Sequence, residues 1–417
     1  MEKPAHFVRK FARIIQGAVS DLIGRREPLT NCYAEAMAKY HGNAPVAQSY
    51  WKGRVALYAI LRGLGVSEGD EVILPGYTCV VVPNAIMFCK AKPRYVDIDP
   101  ITYNIDPDAL DAVMNNRVKA VMVQHTYGIP ADIDRILEWG KRHTVPVFED
   151  CCHIFGSRYK GRLCGTLGVA SFFSGQWTKP FSTGFGGVIV FNDRVLGERV
   201  LEITKREAYN PGRLESLILA AQLLVHHAFV YPATFTLCVE TYRWLGRHRM
   251  AMPSGTKSEI TGIGELPTDY FKTSSAVQAA CGIFEVFRGD FSEAHRRRIA
   301  EFYKEQLRKA KWPVPNLPDY CDPVYLRYPL RVKNKDEMMR LASKHFIELG
   351  DWFDRPLHYA KSETLEPFGY KVGMCPKAEK AAREVINLPL HPRVSLGHAK
   401  RAVALVLKYG KPVELPY

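Results

Sequence analysis

Helix-like and strand-like patterns alternate along the chain between about residues 50 and 150. In chain order the segments are RVALYAILRGLG, DEVILP, PNAIMFCKA, PRYVDID, DPDALDAVM, VKAVMVQHT, DIDRILEWGKRH and VPVFED, beginning with a helix. Strands that alternate with helices over short loops are typical of a mostly parallel sheet covered by helices. We therefore predict an α/β fold.

The pattern changes near residue 290. There SEAHRRRIAEFYKEQLRKA predicts a long, charged amphipathic helix, and short strand-like segments such as VYLRYPLRV follow it. A chain of 417 residues is long enough for two domains. We expect an N-terminal amphipathic helix over residues 1–26, a large domain over 27–288 and a smaller α+β domain over 289–417.

Two stretches stand apart from this alternation. Residues 5–23 carry an apolar helical face, and its members are Phe7, Val8, Phe11, Ile14, Ile15, Ala18, Val19 and Leu22. Residues 216–239, inside an apolar insertion over about 208–250, contain no Asp, Glu, Lys or Arg. Each stretch can pack against the protein itself, and the second can also form a re-entrant hairpin that turns near Pro232. Both can alternatively lie in a membrane interface.

The charge balance narrows the possible partners. The chain has 57 Lys and Arg against 43 Asp and Glu, a net charge of +14, which favours anionic partners. We expect no nucleic acid, because no zinc-finger spacing or other nucleic-acid module accompanies the charge. The ten cysteines contain no CxxC pair, so we expect reduced thiols, no metal site and a cytoplasmic protein. If the apolar stretches bind lipid, we expect the protein to lie peripherally on the inner face of the membrane.

Candidate chemistry lies where the predicted strands end, because ligands of parallel sheets bind at the carboxyl ends of the strands. Gly53 and Arg54 begin a helix, whose N-terminus can hold a phosphate or simply be solvated. Asp150 ends the strand VPVFED, and a buried carboxylate there needs a cation or hydrogen-bond donor. Such a cation can be a protonated heterocyclic nitrogen or an arginine.

The stretch SGQWTKPFSTGFGG adds a lysine to these candidate site residues. Lys179 follows Ser174 by five residues and precedes a glycine-rich turn. An isolated lysine in a turn is ordinarily a surface residue, but a lysine can also form a Schiff base with an aldehyde. A Schiff-base lysine, a carboxylate for a pyridinium and a phosphate-binding helix start are together what pyridoxal phosphate requires.

At this point a family resemblance is evident. The stretches GRVALYAILRGLGVSEGDEVILPGYTCVVVPNAI, YVDIDPITYNIDPDAL, HTYGIPADIDRI and FEDCCHIFGSRYKGRLCGTLGVASFFSGQWTKPFSTGFGGVIVFND carry it, followed later by SSAVQAACGIFE, RPLHYA and VINLPLHPRVS. The chain resembles the DegT/DnrJ/EryC1/StrS family of pyridoxal-phosphate-dependent sugar aminotransferases, which have fold type I. The resemblance runs from about Glu27 to near the C-terminus and is broken by one long segment.

The resemblance implies roles for individual residues. Lys179 is then the Schiff-base lysine, and Asp150 is the partner of the pyridine nitrogen. The phosphate contacts fall on Ser174 and on the helix start at Gly53 and Arg54. Thr78 matches a threonine of the cofactor pocket, and His153 matches the residue beside the cofactor ring.

The resemblance also implies an activity. It predicts a homodimeric enzyme that converts a keto group of a nucleotide- or lipid-linked sugar, or of a sugar-like substrate, to an amine, with glutamate as the expected amino donor. One alternative is a non-catalytic, membrane-associated regulatory protein that keeps the fold. Another is a dehydratase relative, although such relatives typically carry histidine in place of the lysine.

Several positions depart from the family pattern. Lys52-Gly53-Arg54 stands where the family has Ser-Gly-Thr, Cys79 replaces an aromatic residue, and Phe185 replaces a glutamate. The Asn-x-Arg that family members contribute from the partner subunit is not evident, and Lys272 is the candidate to replace it. These departures leave the identity of the amino acceptor open.

Overall fold

A computed structural model describes residues 4–230, 234, 259, 261–262, 265–360 and 365–414, without the side chains of residues 4, 5 and 7. The α-helices in this part of the chain are α1 (Pro4–Leu22), α2 (Glu27–Tyr40), α3 (Gly53–Gly63), α4 (Val81–Phe88), α5 (Ile133–His143), α6 (Arg194–Glu207), α7 (Arg213–Phe229), α8 (Ala276–Phe287), α9 (Gly289–Lys309), α10 (Lys335–Lys344), α11 (Pro376–Glu384) and α12 (Leu396–Tyr409).

The strands of the same residues are mostly short. They are β1 (Val46–Tyr50), β2 (Glu71–Pro75), β3 (Thr78–Cys79), β4 (Lys92–Val96), β5 (Val118–Gln124), β6 (Val147–Asp150), β7 (Arg158–Tyr159), β8 (Arg162–Leu163), β9 (Ala170–Ser174), β10 (Gly187–Phe191), β11 (Cys321–Asp322), β12 (Tyr328–Arg331), β13 (Leu357–His358) and β14 (Val385–Leu388).

A seven-stranded sheet forms the centre of the large domain. Its strand order is β1-β10-β9-β6-β5-β2-β4, and only β10 runs antiparallel to its neighbours. The prediction of a mostly parallel α/β sheet is therefore confirmed. Every residue of β2, β6, β9 and β10 is buried, as expected for strands of a sheet that is covered on both faces. The carboxyl ends of β6 and β9 lie side by side at one edge of this sheet.

The C-terminal region has its own apolar core. The predicted charged helix is α9, and its buried residues Ile299, Tyr303 and Leu307 pack with residues of β12, β14 and α12. These strands pair antiparallel, which gives the α+β texture expected of a small domain. The separation of this core from the central sheet is the basis on which we propose a domain boundary near residue 289.

Helix α1 packs on helix α8 through polar as well as apolar contacts. The Lys10 ammonium pairs with the Glu285 carboxylate, and Asp21 accepts hydrogen bonds from the backbone N–H groups of Ala276 and Val277 at 3.1 and 3.2 Å. Gly17 allows the close approach, since an added Cβ would lie 2.5 Å from Val277 Cα. The helix is thus a docked element of the fold.

The face of α1 that is buried differs from the apolar face expected from the sequence. Ile14 and Ala18 are buried, but Val8, Phe11, Ile15, Val19 and Leu22 are 42–65% exposed. The physical reason is the pair of polar contacts to α8, which fixes the rotation of the helix and turns the stripe Val8, Phe11, Ile15, Val19 and Leu22 towards solvent. We call these five residues the α1 stripe.

Helix α7 covers the first part of the uncharged segment 216–239. Its residues Leu219 and Leu223 are buried, whereas Leu214, Val225 and Phe229 are more than half exposed. The remainder of that segment, including the predicted turn near Pro232, lies outside the described residues. Across the stretches that the structure describes, no helix combines the length and apolar character needed to cross a bilayer.

Candidate functional site

The site is built around the edge of the sheet where β6 and β9 end. Asp150 is the last residue of β6 and is almost fully buried. Its Oδ1 accepts a hydrogen bond of 2.8 Å from the backbone N–H of Cys152. Burial raises the pKa of Asp150 above its usual value, although this N–H and the charge of Lys179 act in the opposite direction. Among the described residues no Lys, Arg or His forms an ion pair with Asp150, so its burial calls for a cationic ligand.

The neighbouring carboxylate serves the fold instead. Glu149 accepts hydrogen bonds from the backbone N–H groups of Gly165, Leu167 and Gly168 at 2.7–2.8 Å, and its Oε2 lies 3.0 Å from His125 Nε2. Although burial alone would raise the pKa of Glu149, these contacts lower it below its usual value. The ligand atoms of His125, Glu149 and Cys151 lie within 4.8 Å of one another. However, His125 Nδ1 also accepts from the Ala131 N–H at 3.1 Å, so both ring nitrogens are already engaged.

Lys179 lies in the loop that joins β9 to β10. Its backbone N–H donates to the Gln176 carbonyl at 3.0 Å, which closes a turn before Pro180. The Lys179 Nζ lies 4.8 Å from the centroid of the Trp352 ring. In the described part of the chain its ammonium forms no ion pair and its Nζ donates no hydrogen bond. A half-buried lysine side chain without these contacts is available to form a covalent bond with a ligand.

The start of α3 lies directly against Ser174. A Cβ added to Gly53 would lie 2.9 Å from Ser174 Cβ and 3.0 Å from its Oγ, so only glycine allows this approach. The helix N-terminus and the Ser174 hydroxyl are therefore adjacent, as a phosphate cradle requires. Arg54 is held at this place by Glu259, with 2.6 Å between Arg54 Nη1 and Glu259 Oε2.

His153 and Thr78 differ in their availability. The His153 ring is buried, and the rings of Trp352 and Phe353 lie 5.4 and 5.7 Å from it. Burial, reinforced by the charge of Lys179, lowers the pKa of His153 well below its usual value, so its ring is neutral. Thr78, also buried, donates from its hydroxyl to Gln124 Oε1 at 2.6 Å. The hydroxyl of Thr78 is thus engaged inside the protein.

The small domain brings residues to the site that the sequence patterns do not indicate. The rings of Trp352 and Phe353 lie against that of His153, the His358 ring packs on both of them, and Lys179 Nζ lies over Trp352. Arg327 Cζ lies 4.7 Å from the Trp352 ring centroid. The stretch RPLHYA carries part of the family resemblance, but nothing in the sequence relates it to Lys179, which lies more than 170 residues earlier.

An apolar cluster supports the loop of Lys179. Phe185 and Trp177 lie in this loop with their rings 5.7 Å apart, and both pack against Leu219 and Leu223 of α7. A Cβ added to Gly184 would lie 2.8 Å from Leu219 Cδ1, so helix and loop are in close contact. The departure from glutamate at Phe185 is therefore matched by the apolar helix beneath the loop.

Lys272 does not present a free cation to this site. Its Nζ donates to Glu215 Oε1 at 2.9 Å and to Asp269 Oδ2 at 2.8 Å, and the side chain is buried. It therefore forms ion pairs within its own chain.

These residues fit pyridoxal phosphate. Asp150 is a buried carboxylate without a cationic partner in the described chain, and Lys179 is an amine without a hydrogen-bond acceptor there. Gly53 and Ser174 form a cradle that a side chain at residue 53 would fill. The neutral ring of His153 lies 5.4 Å from that of Trp352, the ring over which Lys179 Nζ lies.

Comparison with known proteins adds independent findings. The sequence model of the DegT/DnrJ/EryC1/StrS aminotransferase family matches residues 9–211 and 271–407. The chain is 43% identical over 345 residues to GDP-perosamine synthase of Escherichia coli O157:H7, covering 82% of this chain and 80% of the relative. It is 29% identical over 350 residues to a pleiotropic regulatory protein of Geobacillus stearothermophilus, covering 82% and 79%.

Solved structures agree with this match. An aminotransferase of the same family from Brucella abortus superposes with a TM-score of 0.73 at 19% identity, over 97% of each chain. The aminotransferase TlmJ from Streptoalloteichus hindustanus gives a TM-score of 0.72 at 25% identity, over 95% of each chain.

The limits of the family match correct the expectation that the resemblance begins near Glu27, and they support the expectation that one long segment interrupts it. The match begins at residue 9, so most of α1 lies within it rather than preceding it. The gap from 212 to 270 contains the long segment that interrupts the resemblance.

Proposed function

The chain belongs to the DegT/DnrJ/EryC1/StrS aminotransferase family, and we propose on that premise how its residues act and what they act on. It is a pyridoxal-phosphate-dependent aminotransferase that converts a keto group of a sugar or sugar-like substrate to an amine. The observation that carries this function is the 43% identity to GDP-perosamine synthase over 82% of the chain. The donor we propose is glutamate.

Each site residue receives one task in this proposal. When bound, pyridoxal phosphate supplies an electron-accepting ring and an aldehyde. Lys179 Nζ holds the cofactor covalently and, once released, moves the proton from the Cα of the amino donor. Asp150 holds a proton at the ring nitrogen. The Ser174 hydroxyl and the helix start at Gly53 would bind the phosphate, and the neutral His153 ring would lie beside the cofactor ring.

Arg54 and Thr78 act less directly in this proposal. The Arg54 guanidinium, fixed by Glu259, adds positive charge beside the α3 N-terminus. Thr78 orients Gln124 and holds β3 against β13, since its backbone N–H donates to the Pro356 carbonyl at 3.0 Å.

The alternatives have less support. A regulatory protein without activity has no need of a lysine and a buried aspartate that both lack an ion pair within the described residues, although one relative carries a regulatory name. A dehydratase is disfavoured because Lys179 stands where dehydratase relatives typically carry histidine.

Product analysis tests the proposed function. We expect the purified protein, loaded with pyridoxal phosphate and supplied with glutamate, to convert at least one member of a panel of GDP- and UDP-linked keto-hexoses and lipid-linked keto sugars to an amino sugar. Mass spectrometry detects the product, and formation of 2-oxoglutarate measures use of the donor. If 2-oxoglutarate forms with no amino sugar from any panel member, the sugar class is wrong.

We further propose that the active unit is a homodimer with the sites at the subunit boundary. Fold-type-I family members complete each pocket from a neighbour, and two-fold pairs are the commonest oligomers. Lys272, the candidate for the residue contributed by the partner subunit, is held by Glu215 and Asp269 of its own chain, so the dimer proposal does not rest on it. Light scattering on an active preparation is expected to give about twice the mass of 47.2 kDa. A fully active monomer would refute this proposal.

We also propose that the protein is cytoplasmic and associates peripherally with the inner face of the membrane, through the α1 stripe and the exposed side of α7. Large apolar side chains on neighbouring helices are exposed there, with Phe11 at 42% and Phe229 at 62%. Arg9 and Arg213 are exposed on the same two helices. Apolar side chains at the headgroup boundary together with basic residues, worth about 1 kcal/mol each near an anionic surface, are typical of peripheral binding.

Vesicle sedimentation tests this association. At low salt the wild-type protein is expected to sediment with vesicles that contain anionic lipid. Binding should fall about tenfold or more in a variant with Phe11→Asp and Ile15→Asp, and in one with Val225→Asp and Phe229→Asp, because a carboxylate in the apolar interface is unfavourable. All four positions are exposed, so the fold should remain intact.

Val372→Asp is the matched control, since Val372 is 85% exposed on the small domain. It should sediment like the wild type. Wild-type protein that stays in the supernatant would contradict membrane binding. If the aspartate pairs instead lower the mass measured by light scattering, the surface joins two copies of the chain.

A further inference from the structure

A buried histidine of the small domain lies at the wall of the site. His358 is the second residue of β13, which pairs in parallel with β3, so that His358 is opposite Cys79. Its ring centroid lies 5.5 Å from that of Trp352 and 5.3 Å from that of Phe353. Lys179 Nζ lies over the same Trp352 ring, so His358 and Lys179 both lie beside Trp352 at the site.

Asp354 fixes which nitrogen of His358 carries the proton. Asp354 Oδ1 lies 2.5 Å from His358 Nδ1. Although burial alone would raise the pKa of Asp354, the hydrogen bond and charge of His358 lower it, so Asp354 is ionised and accepts. The Asp354 N–H, 3.5 Å from the same nitrogen, is too distant to compete. Nδ1 therefore donates to Asp354, and Nε2 keeps its lone pair.

Nothing in the described chain uses that lone pair. His358 is only 3% exposed, and its Nε2 is buried without a hydrogen-bond partner. Burial lowers the pKa of His358 although Asp354 opposes this, and the positive charge of Lys179 lowers it further. The imidazole is thus neutral and offers a buried acceptor, and leaving such an atom unsatisfied is costly unless a ligand supplies the donor.

We propose that His358 is a specificity-determining residue whose Nε2 accepts a hydrogen bond from a hydroxyl group of the sugar acceptor. The proposal rests on the proposed function and names a contact within that same site. A lone pair repels carboxylates and phosphates, so the partner has to present an O–H or N–H. The amino group of the donor would replace Lys179 on the cofactor, which leaves the sugar hydroxyls as the hydrogen-bond donors for His358.

Asp354 is a positioning residue in this arrangement. By accepting from Nδ1 it prevents the tautomer in which Nε2 carries the proton. With Asp354 replaced by alanine, His358 can adopt either tautomer, and only one of them can accept from the sugar.

Separate measurement of the two half-reactions tests the proposal. The variants are His358→Phe, which keeps an aromatic ring beside Trp352 and Phe353 but has no acceptor, and His358→Gln, whose side-chain carbonyl can restore one. The probes are glutamate for the first half-reaction and the panel keto sugar of highest turnover for the second. We expect His358→Phe to raise the KM for that keto sugar about 5- to 100-fold and to leave the glutamate half-reaction unchanged. His358→Gln should recover part of the loss.

Analogues of the keto sugar that lack one hydroxyl each identify the contact. In the wild type, one analogue should bind less tightly than the full keto sugar. In His358→Phe the same analogue should bind as tightly as the full keto sugar, because the interaction is already absent. His345→Phe is the matched control on an exposed histidine of the same domain and should behave like the wild type.

Two results would overturn the proposal. One is an equal loss in both half-reactions, which would mean that His358 acts through Lys179 or the cofactor. The other is a His358→Phe protein that folds, as shown by an unchanged glutamate half-reaction, and uses the keto sugar with unchanged KM. A wild-type protein with a glutamate half-reaction but no sugar substrate would instead count against the proposed function.

Discussion

The variant Lys179→Ala is expected to lose covalent retention of pyridoxal phosphate and to lower turnover by about 10²- to 10⁴-fold, the range attributed to a positioned general base. The reason is local, because Lys179 Nζ has no other partner in the described chain and lies over Trp352 at 4.8 Å. The melting temperature without cofactor should barely change, since the side chain donates no hydrogen bond, within the described residues, whose loss would weaken the fold.

Borohydride reduction followed by peptide mapping measures the attachment. In the wild type the reduced cofactor should map to Lys179, whereas Lys179→Ala should release it on denaturation. Lys141→Ala, on the exposed side of α5, is the control and should retain both the label and turnover.

Lys52 is the rival attachment site. Burial, reinforced by the charge of Arg54, lowers the pKa of Lys52 to about 8, so Lys52 can react as a neutral amine. Its Nζ, however, lies 6.0 Å from the Phe185 ring centroid, beneath the loop of Lys179. A label that maps to Lys52 in the wild type would contradict the assignment.

The central sheet is predictable from the sequence because its order is encoded locally. Strands β2 and β5 contain short apolar runs, and α5, which connects β5 to β6, has a clear amphipathic pattern. Because ligands bind at the carboxyl ends of parallel strands, the sequence alone then points to Asp150, Ser174 and Lys179. Asp150 indeed ends β6, and Ser174 ends the adjacent strand β9.

The wall formed by the small domain is not predictable in the same way. Trp352 and His358 reach the site through the pairing of β13 with β3, about 280 residues apart in the chain. No local pattern encodes such a pairing, because two-residue strands carry no detectable periodicity. The partner of Arg54 escapes prediction for a similar reason, since Glu259 is distant in sequence.

The rotation of α1 does not follow from hydrophobicity, because an apolar helical face alone does not show which of its residues are buried. The apolar face expected from the sequence spans both Ile14, which is buried, and Ile15, which is not. Lys10 and Asp21, which hydrophobicity assigns to the solvent, are instead buried by specific contacts with α8. A buried ion pair and a helix cap therefore outweigh the apolar stripe in orienting this helix.

The departures from the family pattern become related once the packing is known. Phe185 replaces a glutamate of the glycine-rich loop, and it packs with Trp177 of that loop and Leu219 of α7. Phe185 and α7 thus form one apolar cluster under the loop of Lys179. A ligand that binds the exposed side of α7 would therefore contact an element that supports the reactive lysine.

The adjacent carboxylates Glu149 and Asp150 are expected to have different roles, Glu149 in stability and Asp150 in catalysis. Asp150→Asn is expected to keep the fold and the covalent cofactor but to lower turnover by about 10²- to 10³-fold, the loss typical of one preorganised electrostatic contact. A neutral amide cannot stabilise a proton at the ring nitrogen as a carboxylate does. Because Asp150 has one backbone hydrogen bond and no ion pair in the described chain, the melting temperature should change little.

Glu149→Gln should do the opposite. Glu149 accepts from three backbone N–H groups and lies 3.0 Å from His125 Nε2, and loss of its charge weakens every one of these contacts. The free energy of unfolding is expected to fall by about 1.5–3 kcal/mol, the worth of a hydrogen bond to a charged group. The protein that remains folded should still bind the cofactor and turn over. Denaturant unfolding and the glutamate half-reaction, measured side by side on both variants, test the contrast. If Asp150→Asn instead unfolds more readily while its folded fraction keeps wild-type turnover, Asp150 is a structural residue and the ring nitrogen has another partner.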